Sequence, residues 1–138
     1  MALSFIIIDD SELDCFIARK IIAHADKNIC INPFQNAQHA LEFIASNPDD
    51  NNGEMTIVLL DLQMPLMNGF EFVDEFEKLP AKVKKTHTIV ILSSTRNTND
   101  IYKIQSHKSV HSLMEKPLTM EKLFSLMLQL KTHARSGR

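Results

Sequence analysis

Apolar residues fall in five short, continuous runs along the chain: "LSFIII" (3–8), "ICINPF" (29–34), "TIVLL" (56–60), "TIVILS" (88–93) and "SVHSLM" (109–114), the second and fifth weaker than the rest. Continuous rather than alternating apolar character predicts strands covered on both faces, hence a parallel sheet between layers of helix. Helical spacing fills the gaps. Leu13, Phe16, Ile17 and Ile21 recur at i, i+3, i+4 and i+8 after Ser11, a predicted N-cap with Asp14 as its box-like partner three residues on. Phe70, Val73, Phe76 and Leu79 repeat until Pro80 stops the pattern. Residues 37–45 and 98–105 predict two shorter helices. A last one, over 119–132, follows Pro117, with Thr119 as its cap and Glu121 and Lys122 on its polar side. Strand and helix thus alternate five times, which predicts an α/β fold: a doubly wound five-stranded parallel sheet with helices on both faces.

Composition narrows this picture. A chain of 138 residues is one ordinary domain, expected over residues 1–133, with "ARSGR" (134–138) as a flexible tail. A hydrophobic share of 44% with 23% charged residues fits a packed globular core and excludes disorder and repeat arrays. The net charge of −2 argues against a nucleic-acid surface, and Lys82, Lys84 and Lys85 read as a solvated loop. The polar stretch "NPDDNNGE" (47–54) reads as a loop away from any binding edge. Cys15 and Cys30 lack C-x-x-C spacing, so each is expected to be a buried, reduced thiol. The N-terminal apolar run is too short to span a bilayer and has no positive segment before it, so a cytoplasmic protein without a membrane anchor is expected.

Chemistry concentrates at the strand ends. In open α/β sheets ligands bind beyond the C-terminal ends of the strands. There the sequence places Asp9 and Asp10 after the first run, Asp61 after the third, Ser93, Ser94 and Thr95 at the fourth and Lys116 after the fifth. Each alone has a plain reading: Asp9 a helix cap, Ser93 a strand-end hydroxyl, Lys116 a solvated cation. Three crowded carboxylates, however, raise one another's pKa and destabilise the fold unless neutralised. One lysine cannot balance them, whereas a hard divalent cation held through oxygens can, and Mg²⁺ with a phosphate ligand suits such a site. A carboxylate can also accept a phosphoryl group, stabilised by metal, lysine and hydroxyl. The six histidines show no ligand cluster, and His107 and His111 straddle a predicted helix end, a poor zinc site.

"IIIDD", "LLDLQMPLMNG", "ILSS" and "EKP" together resemble the four signature segments of the receiver domain of two-component response regulators, in the right order and over nearly the whole chain. The resemblance implies a flavodoxin-like strand order of 2-1-3-4-5. It makes Asp61 the phosphoacceptor and assigns Mg²⁺ to Asp10, Asp9, Asp61 and the backbone carbonyl of Gln63. Ser93 would hydrogen-bond the phosphoryl group and Lys116 pair with it. Met64, Pro65 and Gly69 match the turn after the acceptor, and the Lys116–Pro117 bond is expected to be cis. Gln63 and Thr95 would line the path of hydrolytic water. One departure stands out: Leu113 occupies the place where the family usually carries the Tyr or Phe that moves with the serine.

The resemblance implies a single-domain regulator that is phosphorylated by a histidine kinase or histidine phosphotransfer protein and catalyses no turnover on other molecules. Its output would be contact with a downstream protein through the 98–105 helix, the fifth strand and the last helix, as a monomer or a phosphorylation-dependent dimer. Leu123, Phe124, Met127, Leu128 and Leu130 give that last helix more apolar surface than one core stripe needs. Three other classes compete. A phosphatase with an aspartate nucleophile would want a second acid where Gln63 stands. A nucleotide or flavin binder would want glycines in "DDSELD". A constitutive docking module would need no phosphate, and Leu113 is its support.

Overall fold

The computed structural model describes residues 3–46, 55–94 and 97–136, with side chains through residue 131. Strands β1 (Leu3–Ile8), β2 (Cys30–Phe34), β3 (Met55–Leu60), β4 (His87–Ser93) and β5 (Val110–Glu115) form one parallel sheet in the order β2-β1-β3-β4-β5. Successive residues point to opposite faces, and both faces are covered. Ile6, Ile8, Val58, Leu60, Ile89 and Ile91 enter one core cluster, while Phe5, Ile7, Ile57, Leu59, Val90 and Leu92 enter the other. That is why β1, β3 and β4 read as unbroken apolar runs. The two weaker runs, β2 and β5, are the sheet edges, where Pro33 is tolerated because one side of the strand needs no ladder bond.

Helices α2 (Ala37–Ser46), α3 (Gly69–Phe76), α4 (Ala81–Thr86) and α5 (Thr98–Gln105) supply buried residues to the first cluster, and α1 (Glu12–Ala25) and α6 (Met120–Ser136) to the second. Thr119 caps α6 by accepting the Lys122 amide at 3.1 Å. The helix runs on to Ser136, past the expected 132.

Four expectations are corrected. Lys82, Lys84 and Lys85 lie on the short helix α4, which Pro80 opens and Val83 pins to the core, rather than in a loop. The buried stripe of α1 is Cys15, Ala18 and Ile22, whereas Leu13 and Phe16 are 66% and 54% exposed. This helix carries more apolar residues than one stripe, so spacing alone could not choose among them. Cys30 is exposed because it opens an edge strand, although Cys15 is buried. Only half of the predicted capping box forms: the Ser11 hydroxyl accepts the Asp14 amide at 3.2 Å, but the Asp14 carboxylate turns to Lys116. The 47–54 stretch lies outside the described residues.

Candidate functional site

The sheet ladder continues one residue past β1 and β3. The Asp9 amide donates to the Phe34 carbonyl and the Asp61 amide to the Ile8 carbonyl, both at 3.0 Å. Two acids far apart in the chain are thereby set side by side as though still in strand. On the other side, the Lys116 amide donates to the Ser93 carbonyl at 3.0 Å, which ties the end of β5 to that of β4. Asp9, Asp61 and Ser93 are 4%, 6% and 2% exposed, while Asp10 faces solvent. Carboxylate oxygens of Asp9, Asp10 and Asp61 lie within 4.8 Å of one another.

The lysine enters from above. Its Nζ lies 2.7 Å from Asp9 Oδ2, 2.7 Å from Asp14 Oδ2 and 3.6 Å from Asp61 Oδ1. Burial pushes the Asp61 carboxyl up to about 6, with the Asp9 charge adding to the shift and Lys116 opposing it. Asp9 is also raised, by burial that outweighs its bonds from Lys116 and the Ser11 amide. Burial disfavours the Lys116 ammonium, but its bonds to Asp14 and Asp9 prevail and hold its pKa above the ordinary lysine value. The pocket is therefore under-neutralised. Its donors are hard oxygens from three closely spaced carboxylates, one of them open to solvent, which fits a small divalent cation that keeps water ligands.

The turn after Asp61 is built to close tolerances. The Gly69 amide donates to the Leu62 carbonyl at 3.0 Å, and a Cβ at Gly69 would sit 2.8 Å from the Asp61 carbonyl oxygen and from Leu62 Cα. Asn68 and Glu71 form a reciprocal capping box at 2.9 Å each way, which anchors α3 directly behind the turn. Gln63 is exposed and its amide donates to the Asp61 carboxylate, a bond that favours the charged form. Met64 packs against the core, Pro65 is exposed, and Leu66 has φ 68° with 90% exposure. The Lys116–Pro117 bond is cis. Leu113, on the edge strand β5, pairs with Ile91 of β4 and packs against the core cluster on the α5 face. Thr95 lies outside the described residues.

Two clusters were not foreseen. Asp14 joins Lys116 across 102 positions, a contact no local pattern signals. His107 meets Glu77 at 3.3 Å and Asp74 at 3.9 Å, although no histidine cluster was expected. The Ser109 amide also donates to Glu77, so together they tie the end of α3 to the turn between α5 and β5. His111 stands apart, beside the Ser112 hydroxyl at 3.1 Å. Asp74 and Glu77 one helical turn apart were the available sign, but nothing in the sequence says which histidine arrives.

A five-stranded doubly wound sheet with three acids, a serine and a lysine at its C-terminal edge defines a class, and comparison identifies it. The family model described as the response regulator receiver domain matches residues 5–128, and the chain belongs to that family of two-component signalling proteins. Two-component response regulator 24 of Arabidopsis thaliana is 24% identical over 136 residues, covering 97% of this chain and 88% of that protein. A response regulator receiver protein from Dyadobacter fermentans is similar in structure, with TM-score 0.81 and 32% identity over 93% of this chain and 97% of that one. A two-component response regulator from Cytophaga hutchinsonii has the same fold, with TM-score 0.83 and 24% identity over 95% and 98%. Among the described residues no helix is long and apolar enough to cross a membrane.

Proposed function

We propose that the chain is a phosphorylation-operated switch in which Asp61 takes a phosphoryl group from a phosphohistidine on a histidine kinase or histidine phosphotransfer protein. The observation that carries this reading is the clustering of Asp9, Asp10 and Asp61, with Lys116 against Asp9 and Asp61 and the end of β5 tied to buried Ser93, in a chain of the receiver family. An Asp61 carboxylate oxygen forms the new bond to phosphorus while the phosphorus–nitrogen bond breaks and its electron pair returns to the imidazole. Asp10, Asp9, Asp61 and the Gln63 carbonyl are the residues that would hold Mg²⁺, which when bound neutralises charge on the transferring oxygens. Lys116 pairs with the phosphoryl group, and Ser93 hydrogen-bonds it. Gln63 and Thr95 set the access of hydrolytic water and hence the lifetime of the phosphoryl group.

Moving a two-state switch from 1:99 to 99:1 takes about 5.5 kcal/mol, which a few charge-assisted hydrogen bonds at one site largely supply. The output surface is α5, β5 and α6, where Phe124 and Leu128 stand 54% and 66% exposed. The partner is a downstream protein in the cytoplasm, bound by a monomer or a phosphorylation-dependent dimer. The protein acts on no substrate beyond its own phosphoryl group.

Incubation with Mg²⁺ and acetyl phosphate followed by intact mass is the test. A phosphate adduct on the wild type that is absent from Asp61→Asn is the expected result. No adduct, together with no response to beryllofluoride, would instead favour a constitutive docking module, the reading that Leu113 in place of an aromatic residue supports.

A further inference from the structure

Asp14 has no part in the function as proposed so far, yet it makes one of the two shortest contacts to the pocket lysine. We propose that Asp14 is a positioning residue that competes with the phosphoryl group for Lys116, biasing the protein toward its unphosphorylated state. This rests on the reading of Asp61 as phosphoacceptor.

An ammonium has three N–H donors. Two are committed at 2.7 Å, to Asp9 and to Asp14, while the acceptor Asp61 waits at 3.6 Å, beyond hydrogen-bond length. A cation held by Asp9 would loosen the first of those bonds, which leaves Asp14 as the partner that keeps hold of Lys116. Asp14 sits in the first turn of α1, where its amide is taken by the Ser11 hydroxyl, so its backbone position is set independently of the lysine. Its side chain is 36% exposed and the helix docks through Cys15, Ala18 and Ile22, so the core does not need its carboxylate. The charge count agrees. Asp9, Asp10, Asp14 and Asp61 against Lys116 leave an ionised mouth at −3 (four negative charges, one positive), and Asp14 adds repulsion against an incoming phosphodonor.

The experiment compares Asp14→Asn with Glu12→Gln, which removes the same charge from the same exposed helical turn. Beryllofluoride affinity by calorimetry and the rate of adduct formation from acetyl phosphate are read in each. Asp14→Asn should gain about threefold to tenfold in both, the size of one partly exposed charged contact, and Glu12→Gln should stay within about twofold. In a Lys116→Met background the gain in adduct rate should fall to well under half, leaving only what relief of repulsion supplies, because the competition then has no object. The ¹⁵N signal of the Lys116 ammonium should move in unmodified Asp14→Asn protein, a readout independent of phosphorylation. Asp14→Ala should act in the same direction, and circular dichroism establishes that each variant is folded. An equal gain in the Lys116→Met background would reduce Asp14 to simple repulsion and overturn the proposal. A loss of affinity, or no difference from Glu12→Gln, would overturn it too. Wild-type protein that takes phosphate while Asp14→Asn behaves identically sinks this inference alone, whereas wild-type protein that takes none sinks the phosphoacceptor reading and this with it.

Discussion

At the residue scale, the site is a balance between burial and charge. Asp61 in the folded protein holds its proton up to about 6, against roughly 3.9 in an unfolded chain. The folded state therefore binds more protons between those values, and Asp61's contribution to stability falls as pH rises through about 4 to 6, then levels off. Urea unfolding of metal-free protein should find Asp61→Asn equal to wild type near the bottom of that window and more stable by about 2 kcal/mol at pH 7. Added Mg²⁺ should narrow the gap. A less stable Asn variant at pH 7 would mean that the pocket is not under-neutralised. Asp9, Asp10, Asp61 and Lys116 could be read in the sequence because each ends an apolar run, and strand ends are where a parallel sheet exposes its chemistry. The Asp14–Lys116 pair was not legible, since it depends on where two long-separated side chains meet.

At the scale of elements, the turn from β3 into α3 does the positioning. Gly69 has backbone 2.8 Å from where a Cβ would be, on both the Asp61 and Leu62 sides, and neither neighbour is a flexible side-chain tip. Gly69→Ala should lower stability by about 1–3 kcal/mol, measured by thermal denaturation, and slow adduct formation as Asp61 shifts. Unchanged values for both would show that the turn relaxes freely. Helix existence was readable from periodicity and caps for all but the short α4, which is too brief to show a period, and Ser11 and Thr119 do cap α1 and α6. Helix orientation was not. Leu13 and Phe16 look as apolar in sequence as Ala18 and Ile22 do, and only packing against α6 and the sheet decides which stripe is buried.

At the scale of the whole molecule, the question is how a change at Asp61 reaches the surface. Ser93 is the last residue of β4, and the C-terminal half of β4, from Val90 to Ser93, pairs with β5, where Leu113 faces Ile91. Beryllofluoride should shift backbone NMR signals in β5 and α6 as well as around Asp61, and Ser93→Ala should confine the shifts to the pocket. Shifts that spread equally in the Ser93→Ala protein would place the coupling elsewhere. The exposed Phe124 and Leu128 lie outside the core, so changing either to Ser should alter stability by no more than about 0.5 kcal/mol in denaturant titration. A larger loss would make that surface structural rather than a contact face.

The sequence by itself determined the layered α/β architecture, since apolar periodicity is a local property that burial on one or two faces imposes directly. It also placed Asp9, Asp10, Asp61 and Lys116 at one end of the sheet, because a charged residue closing a buried strand has few reasons to be there. Tertiary structure decided which strands are edges, which stripe of α1 is covered, that Cys30 is exposed, and that Lys116 rests on Asp9 and Asp14 rather than on Asp61. Those outcomes turn on distances between residues far apart in the chain, and the spacing of residues along the chain carries no record of them.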